Sequence, residues 1–219
     1  MRQITVKIQG GAASEIPLSE SQIEQEVKDA VILASKISSE ATVRLGKMLL
    51  NKKRRIKVKN WKEDSLIKKF FGSSPPSTIQ MRKVHRRIAR AHRRLSETHL
   101  VIRVRPRPSG SPNRRAQNLG TVFSPRRFKV YPAWFGVLSA EYDGNKSGEN
   151  SSNSDLRRAA IMVHELNHDL FSDQKLNGDK VYGEKMAKDL ARSKPRKARR
   201  SSENLEWFCM RLQDKSGKL

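Results

Sequence analysis

Hydrophobic positions along the chain change their spacing several times, and each change marks an element. Residues 3–8, QITVKI, alternate apolar and polar side chains as a strand does, and the GGAAS turn follows them. The spacing then lengthens. Ile23, Val27, Val31, Ala34, Leu45 and Leu49 recur at helical intervals, which predicts a helix or helix pair reaching about residue 50, with Ser21 and Glu24 at the separation of a capping box. The basic run NKKRRIKVKNWK and the FGSSPPST stretch near residues 71–78 break the period and read as a linker or exposed turn.

Beyond that break the helical period returns. In MRKVHRRIARAHRRL, Val84, Ile88, Ala91 and Leu95 form a narrow apolar stripe, and Arg86, Arg87, Arg90, Arg93 and Arg94 spread over the rest of the surface. HLVIRVRP alternates as a strand, PRPSGSPNRR is a loop, and RFKVYPAWF reads as another strand closed by Pro132. After the polar loop YDGNKSGENSSNS, three helices are predicted: DLRRAAIMVHELNHDLF, capped by Asn153 or Ser154; GEKMAKDLAR, ended before Pro195; and ENLEWFCMRL. The expected fold class is α+β, mainly helical with a small β-sheet. The break near residue 78 suggests an N-terminal strand and helical region with a basic linker (1–78) and a second unit (79–219), or one continuous domain.

Composition changes this picture in two ways. Hydrophobic residues make up 36% of the chain and charged residues 31%, so the expected core is small and its shell heavily solvated. Lys and Arg number 46 against 22 Asp and Glu, a formal charge of +24 that draws the chain toward nucleic acid, anionic membranes or acidic proteins. That is a statement about encounter. No zinc knuckle, helix-turn-helix signature or Gly-aromatic RNA motif accompanies the Arg-rich helix, so a nucleic-acid-binding protein is the competing class and charge is its one argument. An acidic partner, such as a carrier or immunity protein, answers the same charge.

The single cysteine, Cys209, excludes an internal disulfide and suits a reducing compartment. The first twenty residues lack the apolar segment of a signal peptide, and no run approaches the roughly 18 apolar residues of a membrane span. The expectation is a chain made in the cytoplasm, with any export depending on a dedicated bacterial secretion machine or a larger carrier.

The candidate chemistry lies in HELNH at residues 164–168, which fits H-E-x-x-H. On a helix, residues four apart share a face, so His164 and His168 are candidate ligands of one Zn2+ ion, and Glu165 is placed to take a proton from water. Such a site needs one more His, Asp or Glu. Three other histidines, His85, His92 and His99, recur every seven residues. Seven residues span about 10.5 Å of helix, too far for a single ion, so interfacial or solvent-facing roles are expected for them. Cys209, beside Trp207 and Phe208, reads as a small buried hydrophobe.

Downstream of HELNH, Asp179, Tyr182 and Gly183 fit D-x-x-Y-G, and SENLEWF at 202–208 fits an Asn-Ala-Asp-Asn-x-Glu-aromatic-Phe stretch. In these three motifs the chain resembles the deuterolysin family of aspzincin metallo-endopeptidases over roughly residues 120–210. The resemblance implies a zincin-like fold, protein or peptide substrates, Asp179 as third zinc ligand and Tyr182 as donor to the oxyanion of the tetrahedral intermediate. From the lysine-specific branch it further implies that Glu203 and Glu206 bind the side chain after the scissile bond. The chain departs from the family at Leu176-Asn177-Gly178, where Gly-Thr normally precedes the ligand aspartate, and it lacks the disulfides of secreted members. A distant, bacterial-type relative is expected, acting as a secreted effector or toxin.

Overall fold

Helix α1 (Glu20–Leu49) is one unbroken rod whose buried face is written at intervals of three and four: Ile23, Val27, Ala30, Val31, Ala34, Ile37, Ala41 and Leu45 are all buried. The capping box that starts it is formed by Ser19 and Gln22, two residues before the predicted pair. Ser19 has the extended backbone that a cap needs, whereas Ser21 already lies inside the first turn. Glu24 instead pairs with Lys28 one turn on, at 2.6 Å.

The structure is a computed structural model that describes residues 3–50, 53–97, 99–108, 116–118, 127–135, 155–171 and 183–213. Helix α4 (Thr78–Glu97) lies antiparallel along α1. Ser35 and Ser96 hydroxyls meet at 2.8 Å near one end of the seam, and His85 packs against Gly46 near the other. His92 joins that seam through Nδ1, which is 3.1 Å from the Ser35 carbonyl, while His99, beyond α4, meets Gln3 and Thr5. Two of the evenly spaced histidines are thus interfacial and the third is exposed, and each has a protein neighbour that accounts for its place.

The basic stretch expected as a linker is helical over most of its length. It forms α2 (Arg54–Glu63) and α3 (Ser65–Phe71), which send Trp61, Leu66, Ile67, Phe70 and Phe71 into the core. Asp64 sits between them, accepting hydrogen bonds from the Leu66 and Ile67 amides at 3.0 Å while its carboxylate pairs with Arg44 of α1. The apolar positions are crowded into short helices among lysines, so periodicity over a long window does not detect them. Gly72 ends α3 at φ +85°, and a Cβ there would lie 2.7 Å from both the Ala191 carbonyl oxygen and the Pro195 Cβ. Only glycine combines that backbone with that approach.

Four strands form a sheet in the order β1-β2-β4-β3 among the described residues: β1 (Ile4–Ile8), β2 (Leu100–Val104), β3 (Ala116–Asn118) and β4 (Arg127–Val130). β1 pairs with β2, and β2 with β4, in parallel; β3 runs antiparallel to β4. Alternation holds in β2, where Leu100, Ile102 and Val104 are buried. The C-terminal helices are α5 (Asp155–Phe171), α6 (Glu184–Ser193), α7 (Pro195–Ala198) and α8 (Ser202–Gln213). Together they complete an α+β architecture, mainly helical with a small sheet, in which one apolar cluster draws on residues from Ala12 to Met210. Among the described residues no helix is long and apolar enough to cross a membrane.

Candidate active site

Helix α5 carries H-E-x-x-H, and its register explains how the motif is held. Ala159, Ala160, Met162, Val163 and Leu166 are buried where the helix packs on α1, α4 and α8. Arg158, also buried, ties it to α1 through Glu26 at 2.8 Å. With so much of its surface inside the protein, α5 is a rigid support. His164 and Glu165 are half-buried at its border, and position 168 follows one helical turn later.

Helix α8 faces it. Every residue from Ser202 to Met210 is buried, including two carboxylates. Asn204 fastens this helix by donating through Nδ2 to the Phe70 carbonyl of α3 at 2.8 Å and to the Ala187 carbonyl of α6 at 2.7 Å. Phe208 packs on Phe71 with ring centroids 5.0 Å apart. Glu203 and Glu206, three residues apart and therefore on one face, both point at the His164 ring: Nδ1 is 2.8 Å from Glu206 Oε2 and 3.3 Å from Glu203 Oε2.

The remaining oxygens of this pair are occupied too. Glu203 Oε1 accepts from the Gly183 amide at 2.7 Å and from the Trp207 indole at 2.8 Å. Glu206 Oε1 lies 2.6 Å from the guanidinium of Arg157, whose Cζ stands 4.6 Å from the centre of the Trp207 ring. Arg157 precedes His164 by seven residues, two turns along the same helical face. Burial alone would lower the His164 pKa, but hydrogen bonds and charge from Glu203 and Glu206 outweigh it and raise it well above 6.5. Burial pushes Glu203 up, and the contact with His164, the charge of Arg157 and the Gly183 amide together pull it well below the usual carboxylate range. Cys209 is fully buried, and burial with the nearby Glu206 charge pushes its thiol pKa far up, which leaves it an inert apolar filler.

The structure therefore brings together His164, Glu203 and Glu206 from widely separated parts of the sequence, and Glu165 follows His164 in α5. The side chain of His168, and Asp179 and Tyr182, lie outside the described residues. Arg157 and Asn204 were missed by sequence reasoning. Arg157 carries a faint signal, since an arginine on the motif's own helix face, two turns away, has to find a buried counter-charge.

His164, Glu203 and Glu206 bring potential ligand atoms within 4.8 Å of one another, so they fit a cation on charge and distance. A cation gripped by all three would displace the His164 contact and compete with Arg157 for Glu206. The arrangement better fits a histidine that donates its Nδ1 proton to a carboxylate, a bond that fixes both the tautomer and the ring plane, as the outer partners of metal-bound histidines do.

No protein-family model matches the chain, and no curated protein matches it. Among solved structures it is similar to a zinc peptidase from Grifola frondosa, with a TM-score of 0.57 and 18% sequence identity over 90% of this chain and 98% of that one. At that identity the likeness establishes the fold.

Proposed function

We propose that the chain is a zinc-dependent endopeptidase of the aspzincin type. The observation that carries this reading is the clamping of His164 by a buried carboxylate, on a rigid helix that also carries Glu165 and position 168, within a fold similar to that of a zinc peptidase. His164, His168 and Asp179 are the proposed ligands. Zinc bound to them would polarise the scissile carbonyl and make water more acidic. Glu165 takes the proton from the attacking water and returns it to the departing amine, and the Tyr182 hydroxyl donates to the oxygen that gains negative charge. Glu206 holds the His164 ring in orientation throughout.

Cleavage before lysine is the finer part of the proposal. Arg157 balances one of the two carboxylates, which leaves a net charge of about −1 at the pair, Glu203 with Glu206, to attract a substrate ammonium once His164 is neutral. Digestion of an unrelated unfolded protein, with and without chelator and with the new N-termini sequenced, tests both levels. Fragments should appear, stop with chelator, return with zinc and begin with lysine. Fragments with other N-termini would remove the lysine preference and leave the peptidase standing. A protein that holds one zinc per chain and cuts nothing would sink the peptidase itself, and a salt-sensitive shift of DNA with no stoichiometric zinc would favour the nucleic-acid-binding alternative.

A further inference from the structure

A second feature lies on other elements. Between Met81 and Arg94 the chain has seven Lys or Arg and no acid, and between Leu190 and Ser202 it has six and no acid. These two stretches face each other across a cavity of about 540 Å³. Among the described residues, seven of the eight that line it are Lys or Arg, the eighth is Gln80, and none is a carboxylate.

The walls are fixed rather than floppy. Arg87, buried in α4, donates to the Arg200 carbonyl at 2.6 Å, and Arg199, also buried, donates through Nε to the Phe71 carbonyl at 3.1 Å and through its terminal nitrogen to Ser74. Those bonds hold the helix and the α7 segment at a set separation. Lys83, Arg86, Arg90, Arg196 and Arg200 are exposed residues on the rim. Burial and the neighbouring charge of Arg196 lower the pKa of Arg199, a sign that like charges crowd one another here.

Lys83, Arg86, Arg196, Arg199 and Arg200 alone bring five positive charges to one concavity, and low-dielectric walls focus that field on an anion that enters. The volume suits a small ligand rather than a duplex, whose charge is spread along a rod. Guanidinium groups pair with phosphate in two-pronged fashion, and several can share one ligand only if its phosphates are clustered. We infer that the cavity between α4 and α7 is a binding site for a compact polyphosphorylated small molecule, one that carries several phosphates on a short scaffold.

Inositol hexakisphosphate and inorganic tripolyphosphate are suitable probes, with a single-stranded oligonucleotide for comparison, titrated by calorimetry into the full chain at physiological salt. One molecule of inositol hexakisphosphate should bind per chain and raise the thermal midpoint in a concentration-dependent way. The double variant Arg86→Gln, Arg196→Gln should weaken binding at least tenfold. The control variant Lys7→Gln, Lys47→Gln, which removes the same charge from exposed positions elsewhere, should leave it within about twofold. Equal loss in both variants would mean attraction to net charge and would overturn the site. So would several molecules bound per chain, or an oligonucleotide bound more tightly than either compact probe. Because none of the described residues lining the cavity belongs to the zinc proposal, the result stands apart from any peptidase assay.

Discussion

Glu165→Gln should leave one zinc bound per chain and lower the rate of peptide hydrolysis by about 100- to 10,000-fold, the range that general-base catalysis supplies. The substitution changes one atom. Gln fills the same volume at a half-buried helical position, and the support beneath α5 comes from Ala160, Val163 and Leu166, which the change does not touch. Stability and metal content are therefore expected to match the parent protein. An amide cannot take a proton from water at neutral pH, so the loss should fall on turnover, with KM little changed. The measurement is kcat on a peptide found in the digestion experiment, beside zinc content by elemental analysis. A variant that keeps zinc and turns over within about tenfold of the parent would remove Glu165 from the role of base.

How much of the fold and of the site is legible in the sequence depends on the kind of signal. Long amphipathic elements are legible, because an apolar face repeated over many turns, as in α1 and α4, is satisfied only when one side of a helix packs against a core. The helices around Trp61 and Phe71 are not: each is short, most of its polar residues are basic, and its apolar residues gain stability only against partners distant in the chain, such as Phe208. The H-E-x-x-H motif is plain because its two histidines and its glutamate are local. What surrounds His164 is legible only in part. Glu203 and Glu206 stand out by likeness to a motif and carry a lysine-binding expectation. That the same carboxylates also hold the imidazole depends on how α8 docks on α5, which no local pattern encodes. Arg157 illustrates the same limit, since in sequence it is one of two arginines at a helix start and in the fold it is a buried partner of Glu206.

Glu206 offers the second large effect, and a double variant can divide it into two parts. In Glu206→Leu the Arg157 guanidinium keeps its place beside Trp207, with 8% of its side chain exposed, but loses the carboxylate opposite. Removing one partner of a buried ion pair typically costs about 3–5 kcal/mol, so the midpoint of denaturant unfolding of chelator-treated protein should fall by a corresponding amount. Removing the other partner as well, in Glu206→Leu with Arg157→Met, replaces the pair by apolar groups of similar size, and most of that stability should return. Zinc binding should respond differently. His164 loses the acceptor at 2.8 Å that fixes its ring, and losing such an outer partner commonly weakens metal affinity by about 10- to 100-fold. Arg157→Met does nothing to restore that acceptor, so affinity measured against a competing chelator should stay low in the double variant while stability recovers. If zinc affinity recovers in step with stability, Glu206 acts only as a counter-ion for Arg157, and its role in orienting His164 has to be given up.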